Sequence, residues 1–433
     1  MHSIIRKVRF VLLIAGALAV LGSSAQAGIV EVGTCINGYQ QFKTIQSAIN
    51  GSPPGTVIDV CPGTYLEQIS INETLTLHGV LLPGASGAVI AAPSGGMVQN
   101  ATDLDTGAPI AAQVLVYGPG ISVAISDLAV DGANNGISGC SPDLQGILFQ
   151  NASGVINHIT TRNQYLAGSG LGGCQSGEGI YVQTASGDLS NVTVENSSVH
   201  AYQKNGITGN DSGTTLQVVA NRVQGLGLVP AGDAAQNGIQ LGFGAKGSIT
   251  ANFVVDDVYG DPASYIATGI LLYDTASSAV LVNANDVANT QGAVVVATDQ
   301  SNANWLGNGV TVKANNIFAT ANYDAIDVCT DSNSILNNNL YDSAQSGVHL
   351  DASCSVSGGE QTGNNNNVIS NTIVESGCAG ILVDSGTSGN AISPDTFLDV
   401  PNTVLNGRCP AVDGSRHKNG PSGKAIYSPK GRK

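Results

Sequence analysis

Short apolar segments alternate with clusters of Gly, Asn and Ser along nearly the whole chain. Many of these segments begin with a small residue followed by an apolar one, and successive starts lie 22–33 residues apart. The small residues are Gly146, Gly179, Gly206, Gly238, Gly269, Gly292, Ala325, Gly347 and Gly380. A second column, of Asn before an apolar pair, advances by steps of 23–33 residues. Its members are Asn221, Asn252, Asn285, Asn315, Asn338 and Asn371.

Two columns with similar irregular steps predict one structural coil per repeat. The β-branched residues and frequent turn formers favour strands, so the fold class is all-β. We predict a single-stranded right-handed parallel β-helix of roughly a dozen three-strand coils. The Asn column is expected at tight turns, with its amides stacked as an asparagine ladder. A β-sandwich, the alternative, needs hairpin turns about every 8–12 residues, and Asn-Gly turns are scarce here.

The two ends of such a coil need caps. Residues 42–50 carry apolar side chains at Phe42, Ile45, Ala48 and Ile49, which is a helical spacing. This segment predicts a short N-terminal capping helix. A C-terminal cap is expected within residues 397–409.

The first 27 residues resemble a signal peptide. Three basic residues, Arg6, Lys7 and Arg9, precede an apolar run at 10–21, and small residues allow cleavage near Ala27. A retained helical anchor is the alternative. The mature protein is therefore expected to be secreted or periplasmic, and no later apolar run predicts a membrane span.

Charge divides the rest of the chain into two parts. Residues 28–415 contain seven Lys and Arg against 31 Asp and Glu. Such an acidic body argues against nucleic acid as a partner. We expect residues 28–409 to form the β-helix and residues 410–433 to be a basic disordered tail.

All eight cysteines follow the predicted cleavage point. They are Cys35, Cys61, Cys140, Cys174, Cys329, Cys354, Cys378 and Cys409. An even number in an exported chain suggests disulfides, and we expect neighbours in sequence to pair, although 105 pairings are open. No Cys or His spacing predicts a metal site of the zinc type.

Three runs near the N-terminus, at 42–49, 55–67 and 69–79, resemble the opening of pectin-lyase-like β-helix proteins. Pectin methylesterases, mannuronan epimerases and NosD-like periplasmic proteins share that opening. The resemblance implies the right-handed parallel β-helix fold. It implies no single activity, because the superfamily includes lyases, hydrolases, esterases, epimerases and non-enzymes. No activity motif of these families is matched, and two Met and six His argue against copper handling.

Strand alternation places the second and fourth residues after each Gly on the outside of the coil. In the last three coils these positions include Asp327, His349, Asp351 and Asp384, our candidate catalytic residues. Asp327 and Asp351 are expected roughly 8 Å apart, in the range of an inverting glycosidase pair. Asp351 and Asp384, expected about 5 Å apart, could instead share a proton or bind Ca²⁺.

Trp305 and Tyr273 are candidate substrate-binding residues, since aromatic faces suit sugar stacking. The function predicted from these residues is binding or processing of an extracellular polysaccharide. Hydrolase, lyase and epimerase chemistry remain open, and so does Ca²⁺ as a cofactor. A non-catalytic structural or adhesive solenoid is the alternative, and nothing in the sequence decides the oligomeric state.

Overall fold

The computed structural model of the chain describes residues 28–261, 264–300, 302–352 and 362–409, together with Lys430. The predicted signal peptide and Cys354 lie outside these residues, as does the predicted tail apart from Lys430. The described strands form three long sheets, which we call sheets 1, 2 and 3.

Sheet 1 has fourteen strands in the described part of the chain. They are Ile29–Val32, Gln40–Phe42, Val57–Val60, Leu75–Gly79, Ser122–Ser126, Ser153–Asn157, Ser190–Glu195, Thr214–Val219, Lys246–Thr250, Val280–Asn283, Thr311–Lys313, Ser334–Leu336, Asn367–Ile369 and Ala391–Ile392.

Sheet 2 has twelve strands among the same residues. They are Gly63–Leu66, Ala88–Ala91, Leu128–Asp131, Thr160–Gln164, Ser198–Tyr202, Arg222–Val229, Phe253–Tyr259, Asp286–Ala288, Asn316–Phe318, Asn339–Ser343, Thr372–Ser376 and Thr396–Leu398.

Sheet 3 has thirteen described strands. They are Ile69–Ile71, Ala101–Thr102, Pro109–Tyr117, Asp143–Gln150, Glu178–Gln183, Asn205–Asn210, Asn237–Gly242, Thr268–Tyr273, Gly292–Ala297, Ile326–Val328, Ser346–Leu350, Ala379–Val383 and Val404–Asn406.

Each coil adds one strand to sheet 1, then to sheet 2, then to sheet 3, and the next coil repeats that order. Successive coils pair in parallel, and the one antiparallel pair among the described strands joins Ala101–Thr102 to Pro109–Tyr117. Parallel crossovers in proteins are right-handed with very few exceptions. The chain is thus a right-handed parallel β-helix, as predicted, with one apolar core running inside its coils.

The Asn column forms the predicted ladder between sheet 1 and sheet 2. The Nδ2 of Asn252 donates to Oδ1 of Asn285 at 2.9 Å, and Asn285 donates to Asn315 at the same distance. The same bonds link the other members from Asn221 to Asn371. Each amide is buried and also bonds backbone groups of adjacent coils, so the ladder satisfies polar groups that would otherwise be buried at a cost.

The turn beside the ladder differs from our expectation in one detail. The left-handed backbone conformation belongs to the residue before each Asn, not to the Asn itself. Ala251 has φ 57° and Ala284 has φ 54°. The Asn is therefore selected by its amide bonds between coils and not by its tolerance of positive φ.

The Gly column has a steric cause. A Cβ built on Gly206 would lie 2.5 Å from the carbonyl oxygen of Gly238 in the next coil, which is too close for any side chain. The register also corrects one assignment, because Gly292 aligns with Thr268 and Ala293 takes the place in the Gly column.

The α-helix in the described residues spans Ile45–Gly51, three residues later than the start of the predicted segment. Its Ile45, Ala48 and Ile49 are buried in the main core, consistent with a capping role. It is too short to cross a bilayer, and no longer apolar helix occurs among the described residues. At the other end, residues 397–409 include two further strands that extend sheets 2 and 3, where we expected a separate cap.

Three of the expected disulfides are observed, and each joins cysteines that are neighbours in sequence. They are Cys35–Cys61, Cys140–Cys174 and Cys378–Cys409. Cys329 is also disulfide-bonded, and its expected partner, Cys354, lies outside the described residues. Four bridges between sequence neighbours therefore remain the prediction.

We predict that Asn285→Ala lowers the free energy of unfolding by about 1–3 kcal/mol, because it leaves buried groups of the adjacent coils unpaired. Chemical denaturation measures the change. Asn191→Ala is the matched control, since Asn191 is exposed on the strand Ser190–Glu195 of sheet 1. Equal stabilities of the two variants would contradict a structural role for the ladder.

Candidate functional site

The outer face of sheet 3 brings together the residues that alternation predicted. Asp327 and His349 are register partners on adjacent strands, and both lie outside the main core cluster. The face is much less solvated than a bare outer surface, because Asp327 is fully buried and Asp351 is 5% exposed. His349 and Asp384 are the more open members, with 13% and 23% of their side chains exposed.

Three carboxylates surround the imidazole of His349. Its Nδ1 lies 3.1 Å from Oδ2 of Asp324 and 3.8 Å from Oδ1 of Asp327. Its Nε2 lies 3.4 Å from Oδ1 of Asp384. We call His349, Asp324, Asp327, Asp351 and Asp384 the His349 cluster.

This arrangement makes His349 a cation at neutral pH. Burial disfavours the charged ring, but the charge and hydrogen bond of Asp324, with further contributions from Asp384 and Asp327, raise the pKa of His349 well above its ordinary value. The protonated ring donates a hydrogen bond from Nδ1 to Asp324, whereas the contact of Nε2 with Asp384 at 3.4 Å is an ion pair without hydrogen-bond geometry.

Asp384 lies between His349 and Asp351. Burial disfavours the ionised form of Asp384, but the hydrogen bond and charge of His349, with a smaller contribution from Asp351, lower the pKa of the Asp384 carboxyl. The nearest atoms of Asp351, Asp384 and His349 lie within 4.8 Å of one another. Both expectations for the Asp351–Asp384 pair, a shared proton and a bound Ca²⁺, stay predictions.

The hydroxyl of Tyr323 donates a hydrogen bond to Oδ2 of Asp327 at 2.7 Å. The nearest oxygens of Asp327 and Asp351 lie within 4.8 Å. The two carboxyl groups therefore approach each other more closely than the roughly 8 Å expected from rung geometry.

Sequence reasoning missed Asp324 and Tyr323. Asp324 immediately precedes the Gly-column position Ala325, and strict alternation from that column assigns it to the inner face. The strand pairing in sheet 3 instead aligns residues on both sides of each Gly-column position, as with Glu178 to Asn205 and Ile180 to Ile207. The residue before the column therefore faces outward, and the polar residues at that position in several coils were the available signal.

The two predicted aromatic residues lie in an adjoining apolar cluster. Tyr273 is 6% exposed and packs at 5.8 Å, between ring centroids, from Phe243. Trp305 is half-buried against the same cluster, which also contains Tyr323. Their predicted contact with a sugar chain stays a prediction.

A cation could be held only by part of this site. Asp351 and Asp384 offer the oxygen ligands that Ca²⁺ takes, whereas a protonated His349 cannot ligate a metal. Cys329, near Asp327 and Asp351, is disulfide-bonded and offers no thiolate.

Comparison with known proteins identifies the fold only. No protein-family model and no curated protein matches the chain. The A-module of mannuronan C-5 epimerase AlgE4 from Azotobacter vinelandii has a TM-score of 0.55 at 16% identity, covering 86% of this chain and 95% of that one. The GH136 lacto-N-biosidase from Eubacterium ramulus has a TM-score of 0.51 at 12% identity, covering 87% and 67%.

We predict that the stability contributed by His349 depends on pH. Because its pKa is raised by folding, the contribution is fully present below about pH 6.5 and is lost as pH rises through the folded-state pKa. The difference in melting temperature between the wild type and His349→Gln should therefore shrink between pH 6 and pH 9. His158→Gln is the control, since the His158 side chain is 58% exposed. A His349→Gln difference that stays constant or grows with pH would contradict the raised pKa.

Proposed function

We propose that the chain binds and processes an extracellular polysaccharide at the His349 cluster on the outer face of sheet 3. The observation that carries the proposal is the contact of one histidine, whose pKa is raised, with several carboxyl groups that are buried to different extents. Titratable groups whose environments push their pKa values apart are typical of acid–base catalysis. The two structural neighbours above are named as glycan-acting enzymes, which supports the choice of ligand class.

Exposure divides the cluster into two layers. Asp384 and His349 are accessible from outside, and Asp351 lies next to them. Asp324 and Asp327 are buried behind His349 and fix the orientation of its ring. In the proposed arrangement Asp351 and Asp384 form an acid–base couple that contacts the glycan. Asp324, Asp327 and Tyr323 are positioning residues.

The charge of the site favours a class of substrate. Three carboxylates contact the single imidazolium, so the site has an excess of negative charge. A polyuronate would be repelled unless a bound cation neutralised it. A neutral or amine-bearing glycan fits better, and hydrolysis needs an acid and a second carboxyl group of the kind present here.

The compartment supports the same proposal. Disulfides persist in oxidising environments outside the cytoplasm, and three of them join described coils of this chain. Polysaccharides of walls and matrices are found in that environment. Cleavage of residues 1–27 as a signal peptide remains part of the proposal.

A panel of neutral, amine-bearing and uronate polysaccharides tests the function, with products detected by mass spectrometry and binding by calorimetry. We expect turnover of a neutral or amine-bearing glycan. Asp351→Asn and Asp384→Asn should each lower kcat/KM by about 10²–10⁴-fold, because proton transfer is lost.

His158→Gln serves again as the control and should retain full activity, since that exposed side chain lies in the turn between the strands Ser153–Asn157 and Thr160–Gln164, away from sheet 3. Full turnover by both Asn variants would overturn the assignment of the site. Neither binding nor turnover on the whole panel would favour the alternative, a structural or adhesive solenoid.

A further inference from the structure

A second group of buried charged residues lies farther along the outer face of sheet 3. Glu178 begins the strand Glu178–Gln183 and is fully buried, and Asp143 begins the preceding strand of the sheet. Six rungs separate Glu178 from His349, a distance of roughly 29 Å. The two sites are therefore distinct, and an apolar band containing Leu271 and Val295 lies between them.

This second group is occupied by a residue of the chain itself. The Nζ of Lys430 donates to the carboxylate of Asp143 and to the carbonyl oxygen of Gln175, and lies 3.5 Å from Oε1 of Glu178. The Lys430 side chain is 12% exposed. Hydrogen bonds between an ammonium group and carboxylates are charge-assisted, which makes them stronger than hydrogen bonds between neutral groups.

The peptide group of Lys430 is recognised as well as its side chain. Its N–H donates to Oε1 of Gln240 at 2.9 Å, and its carbonyl oxygen accepts from Nε2 of Gln240 at 2.7 Å. Asn210 donates to the same carbonyl oxygen at 2.7 Å. Two side chains thus bind the backbone while two carboxylates bind the ammonium. We call Asp143, Glu178, Asn210 and Gln240 the lysine pocket.

The pocket needs a cation to balance its charge. Burial raises the pKa of Glu178 and the nearby Asp143 raises it further, whereas Lys430 acts in the opposite direction. Lys204 is the other buried lysine here, and its Nζ donates to the carbonyl oxygen of Ala235 at 2.6 Å. Burial, together with the nearby ammonium of Lys430, lowers the pKa of Lys204 to about 7, so in the occupied pocket Lys204 supplies only part of a positive charge at neutral pH.

The chain is long enough to reach the pocket. Cys409 is fixed to Cys378 by a disulfide at the end of the rod. Eight rungs of sheet 3 separate the last strand from Glu178, roughly 38 Å. The 21 residues from Cys409 to Lys430 can span about 70 Å when extended, so Lys430 of the same molecule fits as the occupant.

We propose that the lysine pocket is a binding site for a primary ammonium group flanked by a peptide amide, and that Lys430 is its resident ligand. Lys430 lies over Asn210 and Gln240 on the outer face of sheet 3, through the contacts of its peptide group. External ligands with the same chemistry must displace Lys430. The site rests on its own contacts and does not depend on the activity proposed for the His349 cluster.

Amine labelling of the full chain tests the occupancy. A brief reaction with an acetylating reagent near pH 7.5, read by peptide mass spectrometry, gives a rate for each lysine relative to the unfolded chain. We expect Lys430 to react at least about tenfold more slowly than the exposed Lys246, because a buried, paired ammonium must first be released. Asp143→Asn should restore much of the rate, and equal protection of Lys430 and Lys246 would overturn the proposal.

Competition tests the ligand class. The full chain with Lys430→Ala should bind Nα-acetyl-lysine methylamide at least about tenfold more tightly than the wild type does, because the intramolecular competitor has an effective concentration near millimolar. Nα-acetyl-norleucine methylamide, which lacks the ammonium, should not bind. Adding Glu178→Gln or Asp143→Asn to Lys430→Ala should abolish binding of the lysine probe. Equal affinity of the wild type and Lys430→Ala, or binding of the norleucine probe, would contradict a lysine site.

Discussion

Parallel pairing between successive coils holds each residue about 4.8 Å from its counterpart in the next coil. Close stacking of this kind leaves little room for side chains along the Gly column, where a Cβ on Gly206 would meet the carbonyl oxygen of Gly238. It also leaves buried polar groups at the turns, which the ladder satisfies from Asn221 to Asn371. Steric fit and amide bonding therefore favour one register for the coils that the ladder joins.

Both candidate sites depend on that register. Because coils stack without slippage, one polar residue per strand becomes a row of polar residues along the outer face of sheet 3. Asp327 beside His349 is one such row, and Glu178 beside Asn205 is another. Members of both rows are buried, and burial together with neighbouring charges shifts the pKa values of His349 and Glu178.

The two sites differ in the cation that neutralises their buried carboxylates. At the His349 cluster a histidine within the sheet provides the positive charge, so the site is complete within adjacent coils. At the lysine pocket the cation comes from Lys430, far away in sequence. The first arrangement is fixed in the fold, whereas the second is open to exchange with other amines.

The repeat of Gly and Asn residues by itself determined the coil, the ladder and the pairing of Asp327 with His349, because period and register are local properties of the strands. It did not identify Asp324, because alternation from the Gly column gives no reason to expect the residue before that column beside His349. Only the tertiary structure decided how deeply Asp351 is buried and which groups surround His349. It alone brought Lys430 to Glu178, because contacts between residues 252 positions apart follow from the path of the chain and leave no periodic signal in the sequence.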